Sequence, residues 1–352
     1  MRIAVPREIK PLEGRVGLIP AACSELILAG HEVYVEQGAG QLSGYADSAY
    51  AAVGAQLVDD AAGVYAQGEL IVKVKEPIRD EWSYLRAEHK LFGYLHLAAN
   101  PDLAATLCAI GLTAIAFETV QENNGTLPLL APMSDIAGRL SIQLGAPLLH
   151  QPQGGKGLLL GGLPGAERGR VTVIGAGTAG GNAARVAAAL GADVTVFDRK
   201  RERLVAMRDL GENVNALYAY PDTVAEAVSG ADLVVGAVLI PGARAPHVVS
   251  AEQIRAMQAG SVVVDISVDQ GGCIETTRPT DYRDPTYVVD DVVHLAVTNL
   301  PGAVPRSASQ ALSAAVTPYL LTLAAGGLAD SPALRHGINV QAGALAHPAL
   351  RQ

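Results

Sequence analysis

One segment constrains this chain more than any other: Val171-Thr-Val-Ile-Gly175-Ala-Gly177-Thr-Ala-Gly180. An apolar run of strand type leads into G-x-G-x-x-G. A helical run from Asn182 to Leu190 follows, closed by Gly191. A second apolar run ends at Asp198, about twenty residues past the first glycine. The spacing predicts a βαβ unit that binds a dinucleotide. Gly175 allows the tight turn, Gly177 lets backbone approach a pyrophosphate, and Gly180 permits close helix–strand packing. The N-terminus of the helix that follows favours the negative charge. Asp198 is expected to accept from a ribose diol and to repel a 2′-phosphate, so NAD is expected rather than NADP. Arg199-Lys200-Arg201 follows it at once. Facing inward, these residues would favour a phosphate; a solvated loop is the plainer reading.

Around this unit, short Val/Ile/Leu runs alternate with Ala-rich helical stretches. Candidate strands are Arg2–Val5, Glu32–Glu36, Leu70–Val74, Lys90–Leu95 and Leu112–Phe117, then Val171–Ile174, Asp193–Phe197, Leu233–Val238, Val262–Ile266 and Tyr287–Val289. Pro20–Ala29 reads as a helix opened by proline and closed by Gly30. Such alternation predicts an α/β fold with two doubly wound, Rossmann-like parallel sheets covered on both faces. A length of 352 residues suits two domains. The proline-stiffened segment Leu127–Pro132 marks a boundary, after which Ser134 is expected to cap a helix from about Asp135 to Leu144. Apolar residues at 49% and charged residues at 17% exclude a disordered chain. A formal charge of −9 argues against nucleic acid or an anionic membrane as partner.

Cys23, Cys108 and Cys273 are too sparse for a disulfide framework and lack metal-site spacing, so no metal and a reducing cytoplasmic setting are expected. The N-terminus turns charged too early for a signal peptide. Ala311–Ala329 carries no charge, but Pro318, Gly326-Gly327 and several hydroxyls interrupt it. It reads as a buried or oligomer-facing helix with a kink near Pro318, not as a membrane span.

Ligands of open α/β sheets bind outside the carboxyl ends of the strands. Lys75, His96 and Asp269 each stand where a predicted strand stops. Each has a plain alternative: a surface lysine, a satisfied histidine, a turn aspartate. Lys73 reads as a face residue within its strand. Arg15, on the loop after the first strand, offers a planar guanidinium for a carboxylate, though a lone loop arginine is more often superficial.

These residues sit in a pattern that resembles the alanine dehydrogenase family, related to the soluble part of proton-pumping transhydrogenase. The resemblance is carried by Val5-Pro-Arg-Glu8, Glu13-Gly-Arg-Val16, Val72-Lys-Val-Lys-Glu-Pro77, Tyr94-Leu-His-Leu-Ala98, Ala131-Pro-Met-Ser-Asp-Ile-Ala-Gly138, Gly154-Gly-Lys-Gly157 and Ile174–Gly180. Further on it rests on Gly236–Gly242, Asp265–Cys273 and Asn299–Pro305. It implies a substrate domain of residues 1–128 plus 307–352, with an NAD domain of residues 129–306 inserted, and a homohexamer. It implies NAD-dependent, reversible conversion of L-alanine to pyruvate and ammonium. Arg15 and Lys75 would hold the substrate, and His96 and Asp269 would form the acid/base pair. Ser134, Thr178, Ala179, Asp198, Arg203, Val238, Leu239, Ile266, Ser267, Val268, Asp269, Arg278, Val297, Thr298, Asn299 and Leu300 would line the NAD site. Groups on both domains imply that closure assembles the site. Arg203 stands where lysine is common and Leu300 where methionine is usual; Ser307-Ala308-Ser309 and Ala314-Ala315 also depart from the pattern. Alternatives are a dehydrogenase of another small amino acid, or a non-catalytic NAD(H)-binding subunit like that of transhydrogenase.

Overall fold

Short β-branched runs that are apolar on both sides become parallel strands, and most are followed by a helix that covers one face. In the computed structural model, which describes residues 1–238 and 245–351, fifteen strands form two sheets. In chain order they are β1 (Arg2–Val5), β2 (Glu32–Glu36), β3 (Gln56–Val58), β4 (Leu70–Val72), β5 (Lys90–Gly93) and β6 (Thr113–Ala116). Then come β7 (Arg170–Ile174), β8 (Asp193–Asp198), β9 (Val214–Tyr218), β10 (Leu233–Gly236), β11 (Val262–Asp265), β12 (Thr286–Val289) and β13 (Val292–Leu295). β14 (Ile338–Gln341) and β15 (Ala344–Leu345) end the series. The chain divides into two units. One is Met1–Met133 joined by the chain from Val304 onward; the other is Ser134–Ala303.

The first unit holds the sheet β15-β14-β6-β5-β4-β1-β2-β3. Strands β1 to β6 are parallel, and β14 adds antiparallel to β6. The second holds β12-β13-β11-β10-β7-β8-β9, parallel except for β12 on β13. Both sheets therefore wind outward from a central pair, β1/β4 in one and β7/β10 in the other. At such a pair the helices on either side leave to opposite faces, and a crevice opens at the carboxyl ends. The first core includes Ile71, Leu91, Leu107 and Ala114; the second includes Ile174, Phe197, Val234 and Val263. All are aliphatic or small except Phe197, in keeping with an aromatic content of 4%.

Several expected strands stop early. β4 ends at Val72, β5 at Gly93, β10 at Gly236 and β11 at Asp265, because beyond these points the chain turns into loops at the crevices. The expectation that Ser134 caps a helix is corrected: the helix runs Ala131–Leu148, and Ser134 lies within its first turn. Pro132, one residue in, opens that helix instead, since the first turn needs no N–H from it. The C-terminal helix spans Pro305–Ala324 with Pro318 inside it. Its Ser309 and Ser313 hydroxyls accept the backbone N–H of Val16 and Ile19, each at 3.0 Å, which ties it into the first unit. Among the described residues no helix is long and apolar enough to cross a membrane.

Candidate active site

In the first unit the candidate side chains lie beyond the carboxyl ends of β1, β4 and β5. Residues 6–19 form a long loop between β1 and the helix Pro20–Leu28, and this loop carries Glu13 and Arg15. Arg15 is only 2% exposed, so the reading of a superficial arginine fails. A buried guanidinium needs a counter-charge, and Glu13 supplies it. Arg15 Nε donates to Oε1 at 2.7 Å and Nη2 to Oε2 at 2.5 Å. Its Nη1 lies 3.2 Å from the Met133 sulfur. Burial pushes the Glu13 carboxyl upward, but Arg15 and the Lys75 charge overcome it and hold the group below the usual carboxylate range. The Glu13 carboxylate thus feels the charges of both Arg15 and Lys75, the latter three residues past β4.

His96 follows β5. Its backbone is left-handed, with φ 47°, an uncommon state for a side chain of this size. Glu118 explains how it is held: one carboxylate oxygen accepts the His96 N–H at 2.6 Å, and the group also takes the Leu95 N–H. The imidazole stacks on the Tyr94 ring, with centroids 6.1 Å apart and planes 8° apart. Tyr94 donates its hydroxyl to the Leu129 carbonyl at 2.6 Å and is fixed in turn. Burial raises the Tyr94 hydroxyl pKa, which keeps it neutral, and His96 remains half exposed.

The structure corrects Lys73. It lies beyond the end of β4, fully buried, with its ammonium on Glu81 at 2.7 Å and Glu8 at 3.3 Å. None of Glu8, Glu13, Glu81 or Glu118 was flagged by sequence. Glu13 alone had a local signal, a carboxylate two positions from a candidate arginine. Glu8 and Glu118 reach their partners from just beyond the neighbouring strands β1 and β6, and Glu81 from the 3-10 turn Arg79–Tyr84 downstream of Lys73.

In the second unit the glycine turn spans residues 175–177, between β7 and the helix Thr178–Ala189. Gly175 has φ 100°, and a Cβ there would stand 2.5 Å from the Ala237 carbonyl after β10. A Cβ on Gly180 would fall 1.7 Å from the Gly175 carbonyl. A Cβ on Gly177 would meet only Arg203 Nη1, at 3.7 Å, so this backbone faces open space. A turn that is crowded at two glycines and open at the third, at a helix N-terminus, suits an approaching pyrophosphate.

Asp198 ends β8. Its Oδ2 accepts from Ala176 N–H at 2.8 Å and Arg203 at 3.2 Å, and its Oδ1 from Lys200 N–H at 2.8 Å. Burial opposes the charge, but these donors hold the carboxyl below its usual range. β11 ends in Asp265, fully buried, which accepts the N–H groups of Ser267, Cys273 and Ile274 and the Thr277 hydroxyl. That knot shapes the turn Ile266–Gln270, which presents Ser267, Val268 and Asp269. Asp269 is exposed, and its Oδ2 accepts the Asn299 N–H at 3.4 Å. Asn299, also left-handed with φ 61°, belongs to the Val297–Leu300 segment, whose Leu300 carbonyl accepts the Tyr282 hydroxyl. Arg278 lies over the Tyr287 ring at 4.2 Å. Ser134 and Val238 belong to this same unit; Leu239 lies outside the described residues. Among the described residues no cluster of His, Cys, Asp or Glu could hold a metal.

Residues 4–137 match the family described as alanine dehydrogenase/PNT, N-terminal domain, and residues 141–348 match its C-terminal domain. The chain is 49% identical over 356 residues to an alanine dehydrogenase of Bacillus subtilis (strain 168), covering 99% of this chain and 94% of that one. Its fold superposes on a solved L-alanine dehydrogenase with a TM-score of 0.97 and 49% identity, over 100% of this chain and 98% of the other. A transhydrogenase from Sinorhizobium meliloti gives a TM-score of 0.86 at 26% identity, over 99% and 100% of the two chains. With both domains matched along their length and the glycine turn and strand-end residues in place, the chain belongs to the alanine dehydrogenase/PNT family.

Proposed function

We infer that this protein is an NAD-dependent L-alanine dehydrogenase, interconverting L-alanine with pyruvate and ammonium. The observation that carries the reaction is 49% identity to an alanine dehydrogenase across 99% of the chain. The geometry supports the residue roles. The residues that would hold NAD are Gly177 and the helix start at Thr178 and Ala179 for the pyrophosphate, and Asp198 with Arg203 for the ribose. Ser134, Val238, Ile266, Ser267, Val268, Asp269, Arg278 and Val297–Leu300 would complete the site. The fit rests on the open backbone at Gly177 and on the Asp198 carboxylate. A carboxylate offers about four lone-pair sites, and three donors already use Asp198. Ribose hydroxyls would therefore compete with Arg203.

NAD, when bound, accepts the hydride from the substrate Cα. Arg15 would clamp the substrate carboxylate. Glu13 holds its Nε–Nη2 edge and the Met133 sulfur lies against Nη1, which fixes the plane of the guanidinium that would meet the substrate. Lys75 would steady the carboxylate and the developing carbonyl. Loss of hydride leaves an imine, to which water adds before ammonia leaves. His96 suits the proton transfers because an imidazole can both accept and donate a proton. Asp269 would serve as the second acid/base group.

Initial rates of NADH formation with alanine, glycine, serine and lysine, and with NADP⁺ in place of NAD⁺, test this reading. The expected outcome is that alanine with NAD⁺ gives the highest kcat/KM. NADH binding without any alanine-dependent turnover would instead support a non-catalytic subunit. We also propose a homo-oligomer.

A further inference from the structure

We propose that Glu8 is a positioning residue for this reaction, fixing the loop that presents Lys75 without touching the substrate itself. The inference rests on the proposed role of Lys75 at the substrate carboxylate. Glu8 and Lys75 lie three residues beyond β1 and β4, the two strands that flank the crevice of the first sheet. The Glu8 carboxylate spans the gap between their loops. Its Oε1 accepts the N–H of Val74 at 2.6 Å and that of Lys75, more weakly, at 3.4 Å. Its Oε2 lies 3.3 Å from the Lys73 ammonium.

Lys73 hands the restraint on. Its ammonium also donates to Glu81 Oε1 at 2.7 Å, an oxygen that takes the Tyr65 hydroxyl at 2.9 Å as well. The other Glu81 oxygen accepts the Ile78 N–H at 2.9 Å. The segment 73–78 is thus held at its start by Glu8 and at its end by Glu81, with Lys73 joining the two and Lys75 between them. Burial, with smaller contributions from the Glu13 and Glu81 charges, pushes the Glu8 carboxyl upward despite Lys73 and the Val74 N–H. A buried ion cluster of this kind is a poor source of stability, since apolar side chains of similar volume commonly serve as well or better. What apolar packing cannot do is accept two successive backbone N–H groups beside the residue that must meet the substrate. Displacing a substrate-holding group by about 1 Å can cost ~10²-fold in rate.

The test compares full-length wild type with Glu8→Ala, Glu8→Gln and Glu8→Asp by steady-state kinetics, NADH binding by fluorescence, and thermal unfolding. Glu8→Ala should lower kcat/KM for alanine by about 10²-fold, chiefly through KM, while NADH affinity moves less than about twofold. Glu8→Gln keeps an oxygen for Val74 and Lys75 but turns an NH2 toward the Lys73 ammonium, and should recover part of what Glu8→Ala loses, to within about tenfold of wild type. Glu8→Asp keeps the charge but withdraws the oxygen by one methylene and should lose about tenfold. The proposal is overturned by Glu8→Ala within about threefold of wild type, by Glu8→Gln as impaired as Glu8→Ala, or by a parallel loss of NADH binding. Should Glu8→Ala fail to fold, wild-type kinetics in Glu8→Asp overturn it equally. Absence of alanine turnover in the wild type would remove the functional reading and this inference together. An active wild type with indifferent Glu8 variants would remove this inference alone.

Discussion

His96 illustrates how much a single residue here depends on others. Its left-handed backbone is pinned by Glu118, and its ring is laid flat on Tyr94. An alanine at position 96 would leave that frame standing, so His96→Ala should lower kcat by about 10²–10⁴-fold with NADH binding nearly unchanged. Loss of NADH binding, measured by fluorescence, would make the histidine structural. Asp198 yields a second residue-level expectation. Asp198→Asn removes the charge that repels a 2′-phosphate, and the ratio of kcat/KM for NAD⁺ over NADP⁺ should fall by roughly tenfold or more. An unchanged ratio would take Asp198 out of the ribose role. Lys75, His96, Asp269 and Asp198 were legible in the sequence because each follows an apolar run that had to be a buried strand. Their partners were not. Glu118 lies near His96 only because β6 pairs with β5, and Glu8 lies near Lys75 only because β1 pairs with β4.

At the level of elements, most buried strands could be read from their apolar runs, whereas β3, β9 and β15 at the sheet edges could not; the edge strand β12 was read and the buried β13 was missed. β9, with the sequence VNALY, is an edge strand with its outer face in solvent, so it lacks a continuous apolar run. β13 escaped notice because its hairpin with β12 turns at Asp290-Asp291, both at positive φ, where glycine or asparagine is the usual signal. Helix packing offers a direct test. A Cβ on Gly138 would stand 2.0 Å from the Ala179 carbonyl in the helix that follows the glycine turn. Gly138→Ala should therefore cost about 1–3 kcal/mol, read as a lower Tm, and should weaken NADH binding by moving that helix. His294, fully buried on β13, gives a pH dependence. Burial holds its imidazole below the ordinary pKa, against the pull of the Val292 carbonyl. The unfolded chain then takes up protons more readily than the folded one. Stability is complete above the unfolded pKa, about 6.5, and declines as pH falls from there toward the folded value. His89, buried beside Arg86, acts in the same direction. Tm should drop on acidification below neutrality, and His294→Gln should flatten that slope in scans at matched pH values.

At the scale of the whole molecule, the chain leaves its first unit and returns to finish it. The helix Pro305–Ala324 and strands β14 and β15 belong to the fold begun by β1–β6. A chain ending at residue 303 would strip the Val16 and Ile19 N–H groups of the Ser309 and Ser313 hydroxyls. It would also expose the edge of β6. Limited proteolysis should find the first unit of such a chain degraded. The stretch 134–303, expressed by itself, should keep NADH binding on the reading proposed here and show no alanine turnover. The two sheets share one winding, yet their first connections differ. Residues 6–19 follow β1, whereas only residues 175–177 follow β7. The longer span has room to carry acidic and basic side chains into the crevice; the shorter one brings bare main chain up to it. On the reading proposed here, ligand choice in this scaffold follows from the length of a single corner. Grafting the three-residue corner onto the first sheet should abolish recognition of a zwitterion without disturbing the order of its strands.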